Sequence, residues 1–166
     1  MEALVLGIGN LLLSDEGVGV RAIQALEARW HFPDNITLMD GGTAGMELME
    51  YMASRELLIV IDAVRADYPP GSVFVLEDEQ IPALFSKRIS PHQLGLCDVL
   101  MALRLTGEYP KKLFLVGITP ESLDPGMTLT DTIRQQLPGI MEQVITLLLR
   151  QGALEIHPQE VLCQAG

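Results

Sequence analysis

The chain reads as a three-layer α/β/α sandwich built on a mainly parallel sheet. Apolar runs that suit strands alternate with amphipathic runs that suit helices along its length. One run, Leu57-Leu58-Ile59-Val60-Ile61, is apolar without alternation, as expected of a strand covered on both faces. A glycine turn, Gly7-Ile8-Gly9, joins the first strand to the first helix. On an open parallel sheet such a turn stands at the carboxyl edge, where ligands bind.

Met1–Leu6 is the first strand, and Gly17–Trp30 a helix with Val18, Ala22, Ile23, Leu26 and Trp30 on one face. Ile36–Met39 is a second strand ending at Asp40, followed by the turn Gly41-Gly42-Thr43-Ala44-Gly45 and a short helix, Met46–Ser54. Thr43 is placed to cap that helix, and Met46, Met49 and Met52 pack or form an adaptable surface. The strand Leu57–Ile61 ends at Asp62, and Ser72–Leu76 alternates weakly as an edge strand. Ile81–Ile89 is irregular. Ser90-Pro91-His92-Gln93 is the clearest helix start, with an N-cap, Pro at the first helical position and a capping box, and the helix runs to about Leu105. Lys112–Ile118 is another strand, and Thr128–Gly152 a last helix that Pro138 is expected to kink. Residues 1–152 therefore read as one α/β domain and 153–166 as a loose tail.

A chain of 166 residues buries roughly 70% of its unfolded surface. At 48% hydrophobic and 20% charged the composition is that of a soluble domain. The net charge of −11 repels a phosphate backbone, which argues against nonspecific nucleic-acid binding; it is compatible with cations or basic segments as partners, although a solvated acidic surface accounts for most of it. No apolar run reaches the ~18 residues of a membrane span. Cys97 and Cys163 stand far apart with no CxxC pair, and no secretory leader is visible, so the cytoplasm is expected.

Candidate chemistry gathers at the carboxyl ends of the strands. The first loop has half of a G-x-G-x-x-G fingerprint, but position 12 is Leu and Asp15-Glu16 stand where pyrophosphate would sit. Those carboxylates either complement a helix N-terminus or attract a cation. Asp62, at the end of an apolar strand, either caps the next turn or needs a cation, donors or a proton to offset its burial. His92 stands at the start of a helix, where the N-terminus disfavours imidazolium, and is either a packing residue or, as a neutral imidazole, a metal ligand. Together Glu16, Asp62 and His92 form a set able to hold a divalent ion with open positions, without choosing among nickel, zinc and manganese. In the glycine turn, exposed N–H groups could hold a carbonyl, and Asp40 could position or activate water. Neither HExxH nor G-x-S-x-G occurs.

Four motifs in register carry a resemblance. Gly7-Ile8-Gly9-Asn10 with Asp15-Glu16-Gly17-Val18-Gly19, then Asp40-Gly41-Gly42-Thr43-Ala44-Gly45, Asp62-Ala63, and Ser90-Pro91-His92-Gln93-Leu94-Gly95-Leu96 resemble the hydrogenase maturation endopeptidases, over residues 3 to about 150. The wording of the second and fourth is most similar to the branch serving uptake-type nickel–iron hydrogenases. The resemblance implies a twisted, mainly parallel sheet and removal of a C-terminal extension from the nickel-loaded hydrogenase large-subunit precursor. It implies Glu16, Asp62 and His92 as ion-binding residues, Asp40 as a further important acid, and nickel that arrives in the substrate as the recognition signal. The class implied is that of aspartic-type peptidases.

Two other readings stand beside this one, a metal-binding maturation chaperone that cuts nothing and a small dinucleotide-binding domain. For the residues at the helix start, Ser90→Ala should cost about 1 kcal/mol of stability. It should also lower processing less than His92→Ala, as measured by the mass of the processed precursor.

Overall fold

The apolar runs become strands, and the helices between them divide evenly between the two faces of the sheet. The computed structural model describes residues 1–85 and 91–159, the side chains at 85 and 91–95 excepted. The strands are β1 (Ala3–Ile8), β2 (Trp30–His31), β3 (Ile36–Gly42), β4 (Leu57–Ala63), β5 (Val73–Glu77), β6 (Lys112–Ile118) and β7 (His157–Pro158). The helices are α1 (Val18–Arg29), α2 (Met49–Met52), α3 (Gln80–Phe85), α4 (Pro91–Thr106), α5 (Asp131–Arg134) and α6 (Leu137–Arg150). Five strands form one sheet in the order β3-β1-β4-β6-β5, parallel except for β5, which runs antiparallel to β6 at the edge.

Alternation along each strand feeds two apolar layers. Ala3, Val5, Leu57, Ile59, Ile61, Val116 and Ile118 pack with α1 and α6. Leu4, Leu6, Ile8, Leu58, Val60, Leu113 and Leu115 pack with Leu48, Met52, Ile81 and the α4 residues Leu96, Val99, Leu100 and Leu103. Each fully buried Leu or Ile contributes about 1.5–3 kcal/mol, so these two layers supply the main favourable term of folding.

The chain leaves β1 for β3 on one side and then returns to β4 on the other. The strand order thus reverses between β1 and β4, and a doubly wound sheet opens a crevice beyond the carboxyl ends at that point. Backbone contact closes the base of this crevice. A Cβ on Gly7 would overlap the Gly19 carbonyl, and one on Gly19 would overlap the carbonyls of Ile61 and Ile8. The first turn of α1 therefore sits directly on β1 and β4.

Several elements differ from the sequence reading, each for a local reason. A 3-10 turn, Ser14–Gly17, precedes α1, which ends at Arg29 because Trp30 is extended. The expected helix Met46–Ser54 is a 3-10 turn, Met46–Leu48, followed by α2, and its N-cap position is Gly45, so Thr43 does not cap it. Met52 is buried and Met49 packs beside it, whereas Met46 is exposed. Part of the stretch expected to be irregular is helical, as α3; residues 86–90, and with them the Ser90 cap, lie outside the described residues.

The last helix is two. Thr130 caps α5, the chain turns, and Pro138 falls in the first turn of α6, where its missing N–H costs nothing, so it starts a helix rather than kinking one. The stretch expected to be a loose tail is docked as far as Gln159. Ala153 is buried, β7 pairs with β2, and the Gln159 amide donates to the carbonyls of Glu27 and Trp30.

Gly19→Ala tests the backbone contact. Overlap with two carbonyls rather than a movable side chain should cost about 3 kcal/mol and lower Tm by roughly 6–12 °C, read by differential scanning calorimetry.

Candidate active site

Asp62 stands near the carboxyl end of β4, in register with Gly117 of β6, and is fully buried. By alternation it shares the face of Leu58 and Val60, the face that α4 covers. His92 is the second residue of α4, and its side chain lies outside the described residues. Across the crevice stands the Ser14–Gly17 turn, which carries half-buried Glu16 and packs against β4. The geometry brings the elements bearing Glu16 and Asp62 together at the switch point. Among the described residues no three His, Cys, Asp or Glu side chains form a group able to hold a metal.

The turn bearing Glu16 is held from two sides. Below it, Gly9 has φ of 139°, and a Cβ there would overlap the Glu16 carbonyl. The left-handed φ and the close approach both require glycine. Behind it, Ser14 has φ of 52°, a region costly for a residue with a Cβ and sustained only by surrounding contacts.

Bonds from Ser14 itself to the loop 119–130 contribute to those contacts, and more come from Asp15, which is fully buried. Its carboxylate accepts from the N–H of Glu121 at 3.0 Å, of Ser122 at 3.0 Å and of Thr130 at 2.8 Å, and from the Thr130 hydroxyl at 2.9 Å. Asp15 therefore spends its acceptors inside the protein, which corrects its reading as a cation-attracting partner of Glu16. Thr130 also caps α5, accepting from the Ile133 N–H at 3.4 Å. Sequence reasoning missed the loop 119–130 as a structural partner of the first turn. The cap signal Thr130-Asp131 before Ile133 was present to mark where that loop ends.

Asp40 sits on β3, paired in register with Gly7, and is exposed. Its Oδ1 accepts from the Gly42 N–H at 2.8 Å, closing the strand end around Gly42 at φ of 50°. The glycine turn has little spare hydrogen-bonding capacity. The Ala44 N–H donates to Gly41, and the Gly45 N–H donates to the Glu47 carboxylate at 3.0 Å. Hydrogen bonds from the Glu47 and Gly45 backbone hold that carboxyl below its ordinary value. The N–H groups of Gly42, Ala44 and Gly45 are thus already used within the turn, which limits its reading as a cradle for a substrate carbonyl. An apolar recess lined by Ile8, Gly42, Ala44, Gly45, Leu48 and Leu96 adjoins it.

Two chemistries are disfavoured. The space above Gly9 that a diphosphate would need is filled by the Glu16 carbonyl, whose dipole repels phosphate. Cys97, half-buried on α4, has its thiol pushed up by burial and then by Asp98, the reverse of what a nucleophilic cysteine requires.

Comparison with known proteins places this geometry. A family model described as HycI, hydrogenase maturation protease, matches residues 20–147. The chain is 53% identical over 163 residues to the hydrogenase 2 maturation protease of Escherichia coli K12, covering 98% of this chain and 99% of the relative. It is 43% identical to the hydrogenase expression/formation protein HupM of Azotobacter chroococcum, over 91% of this chain and 73% of that one. The structure superposes on the hydrogenase maturating endopeptidase HybD from E. coli with a TM-score of 0.92 at 52% identity, covering 96% of this chain and 98% of that one. A family model matching most of the chain, relatives of this identity and the shared architecture agree: the chain belongs to the hydrogenase maturation protease family.

Proposed function

We propose that this protease removes a short C-terminal extension from the nickel-loaded large-subunit precursor of a nickel–iron hydrogenase. The observation that carries the reading is the burial of Asp62 at the carboxyl end of β4, beside the turn that bears Glu16, in a member of this family. A carboxylate is kept in such a place only where partners or a cation compensate its desolvation.

Nickel enters as part of the substrate. Glu16, Asp62 and His92 are the residues proposed to meet it, two carboxylates and an imidazole that suit a divalent transition metal and leave positions for the substrate's own ligands. Engaging the metal reports that the precursor is loaded and anchors its C-terminal strand at the crevice. Water then adds to the scissile carbonyl carbon, the C–N bond breaks, and the proton passes to the departing amine. Asp40 is the residue proposed to position or activate that water.

β1 lies between the strands of Asp40 and Asp62, so the two backbones are about 10 Å apart. In addition, Asp40 pairs in register with Gly7 and, through it, with Ile61, whose side chain points to the face opposite that of Asp62. That register disfavours a pair of carboxylates sharing one proton. It supports a division of labour between an anchor at Asp62 and a water-positioning group at Asp40. The compartment proposed is the cytoplasm, in keeping with the free Cys97. No helix among the described residues is long and apolar enough to cross a membrane.

Mass spectrometry of the nickel-loaded precursor after incubation tests the reading. Wild type should yield a shortened subunit, and unchanged mass would leave a metal-binding chaperone in its place. Asp62→Asn keeps the side-chain shape and removes the charge. It should lower the processing rate at least about 100-fold while circular dichroism stays native, and wild-type processing by that variant would remove Asp62 from the site.

A further inference from the structure

We propose that Asp15 is a positioning residue for the reaction, which fixes Glu16 by tying the loop 119–130 to the Ser14–Gly17 turn. The inference rests on the reading of Glu16 given above. Asp15 is fully buried one residue before Glu16, and its two oxygens take three backbone N–H groups and one hydroxyl, all from that loop.

The tie runs both ways. The Asp15 N–H donates to the Ser122 carbonyl at 3.2 Å, the Ser14 N–H to the Gly126 carbonyl at 2.9 Å, and the Ser14 hydroxyl to the Asp124 carbonyl. The Gly126 N–H returns a bond to the Leu12 carbonyl at 2.9 Å. Two loops at one edge of the sheet thus form a single hydrogen-bonded body. Glu16 is held between that body and the close approach of Gly9 to its carbonyl.

Asp15 lies within the very turn that it ties down. Here it overdetermines a turn whose first residue, Ser14, has a left-handed φ of 52°. Without the Asp15 carboxylate the turn keeps only its backbone and Ser14 bonds to the loop, which leaves Ser14 freer to relax and the peptide that carries Glu16 freer to turn with it. A displacement of about 1 Å at a group that engages the substrate is enough to cost on the order of 100-fold in rate.

The test compares Asp15→Asn and the milder Thr130→Val, which keeps the backbone N–H to Asp15, with Val144→Ala. Val144 is a buried core residue of α6, so its truncation lowers Tm without touching the site. All are assayed well below their melting temperatures, with kcat for the nickel-loaded precursor and, separately, the Kd for Ni²⁺ alone by calorimetry. Asp15→Asn should lower kcat about 100-fold and weaken Ni²⁺ binding about 10-fold, with Thr130→Val between it and wild type and Thr130→Ser restored. Val144→Ala should lose stability only.

Wild-type kcat and Ni²⁺ affinity in a destabilised Asp15→Asn or Thr130→Val would overturn the proposal and leave Asp15 a loop staple. Failure of the underlying function looks different. The wild-type protein would then shorten no precursor, while its Ni²⁺ affinity, compared with that of Asp15→Asn, would still report whether Asp15 positions Glu16.

Discussion

The contact of three backbones at Gly7 and Gly19 is the constraint on which the rest of the site depends. Side chains normally keep a helix about 10 Å from the sheet it covers. Glycines at both contact positions remove that spacing, and the first turn of α1 comes to rest on the carbonyls of Ile8 and Ile61. Because Asp62 follows Ile61, and Glu16 lies in the turn just before α1, the same contact that closes the core sets the two acids at one crevice. The glycines imitate those of a nucleotide-binding loop because both need a tight strand-to-helix passage. Here protein backbone fills the space that a phosphate would occupy.

Four carboxylates lie along this edge, and their surroundings, more than their residue type, divide their roles. Asp15 is buried and meets donors on both oxygens, so its charge serves the fold. Asp62 is equally buried but stands at the end of a strand that opens on the crevice. Glu16 is half-buried on a clamped turn, and Asp40 is exposed, with one oxygen turned back on Gly42. In a chain of net charge −11, further negative charge at one edge raises the attraction for a cation there and the repulsion of anions.

Most of the architecture was legible because it follows from periodicity. The uninterrupted run ending at Ile61, the amphipathic helix from Val18 and the weakly alternating edge strand near Val73 all fall where pattern places them. What pattern could not reach was decided by contacts distant in sequence. Asp15 and Thr130 are 115 positions apart, so nothing near Asp15 announces that its carboxylate is spoken for. From sequence Pro138 reads as a kink because the apolar stripe runs on across it, although a proline in a first turn satisfies the same stripe. The tail 153–166 reads as loose because its composition carries no element signal, yet within its described part Ala153 and Ile156 find the core and Gln159 caps two carbonyls. Asp40 and Asp62 stand at strand ends by pattern alone, but that Asp15 is taken up by the fold is not legible there, since burial depends on what packs above it.

An incomplete donor set is what the proposed task calls for. A protein that supplied four or more ligands in closed geometry would hold an ion of its own and would respond to free metal as readily as to a loaded precursor. Two carboxylates and an imidazole, the set proposed, would bind an isolated ion more weakly and would become a complete site only when a substrate brought further ligands with the metal. Rigidity then matters more than donor number, because weak donors discriminate only if they do not move to accommodate a wrong partner. The glycine contact below Glu16 and the Asp15 tie behind it supply that rigidity from the fold itself, and on the proposed reading the remaining coordination, and with it the decision to cut, would fall to the precursor.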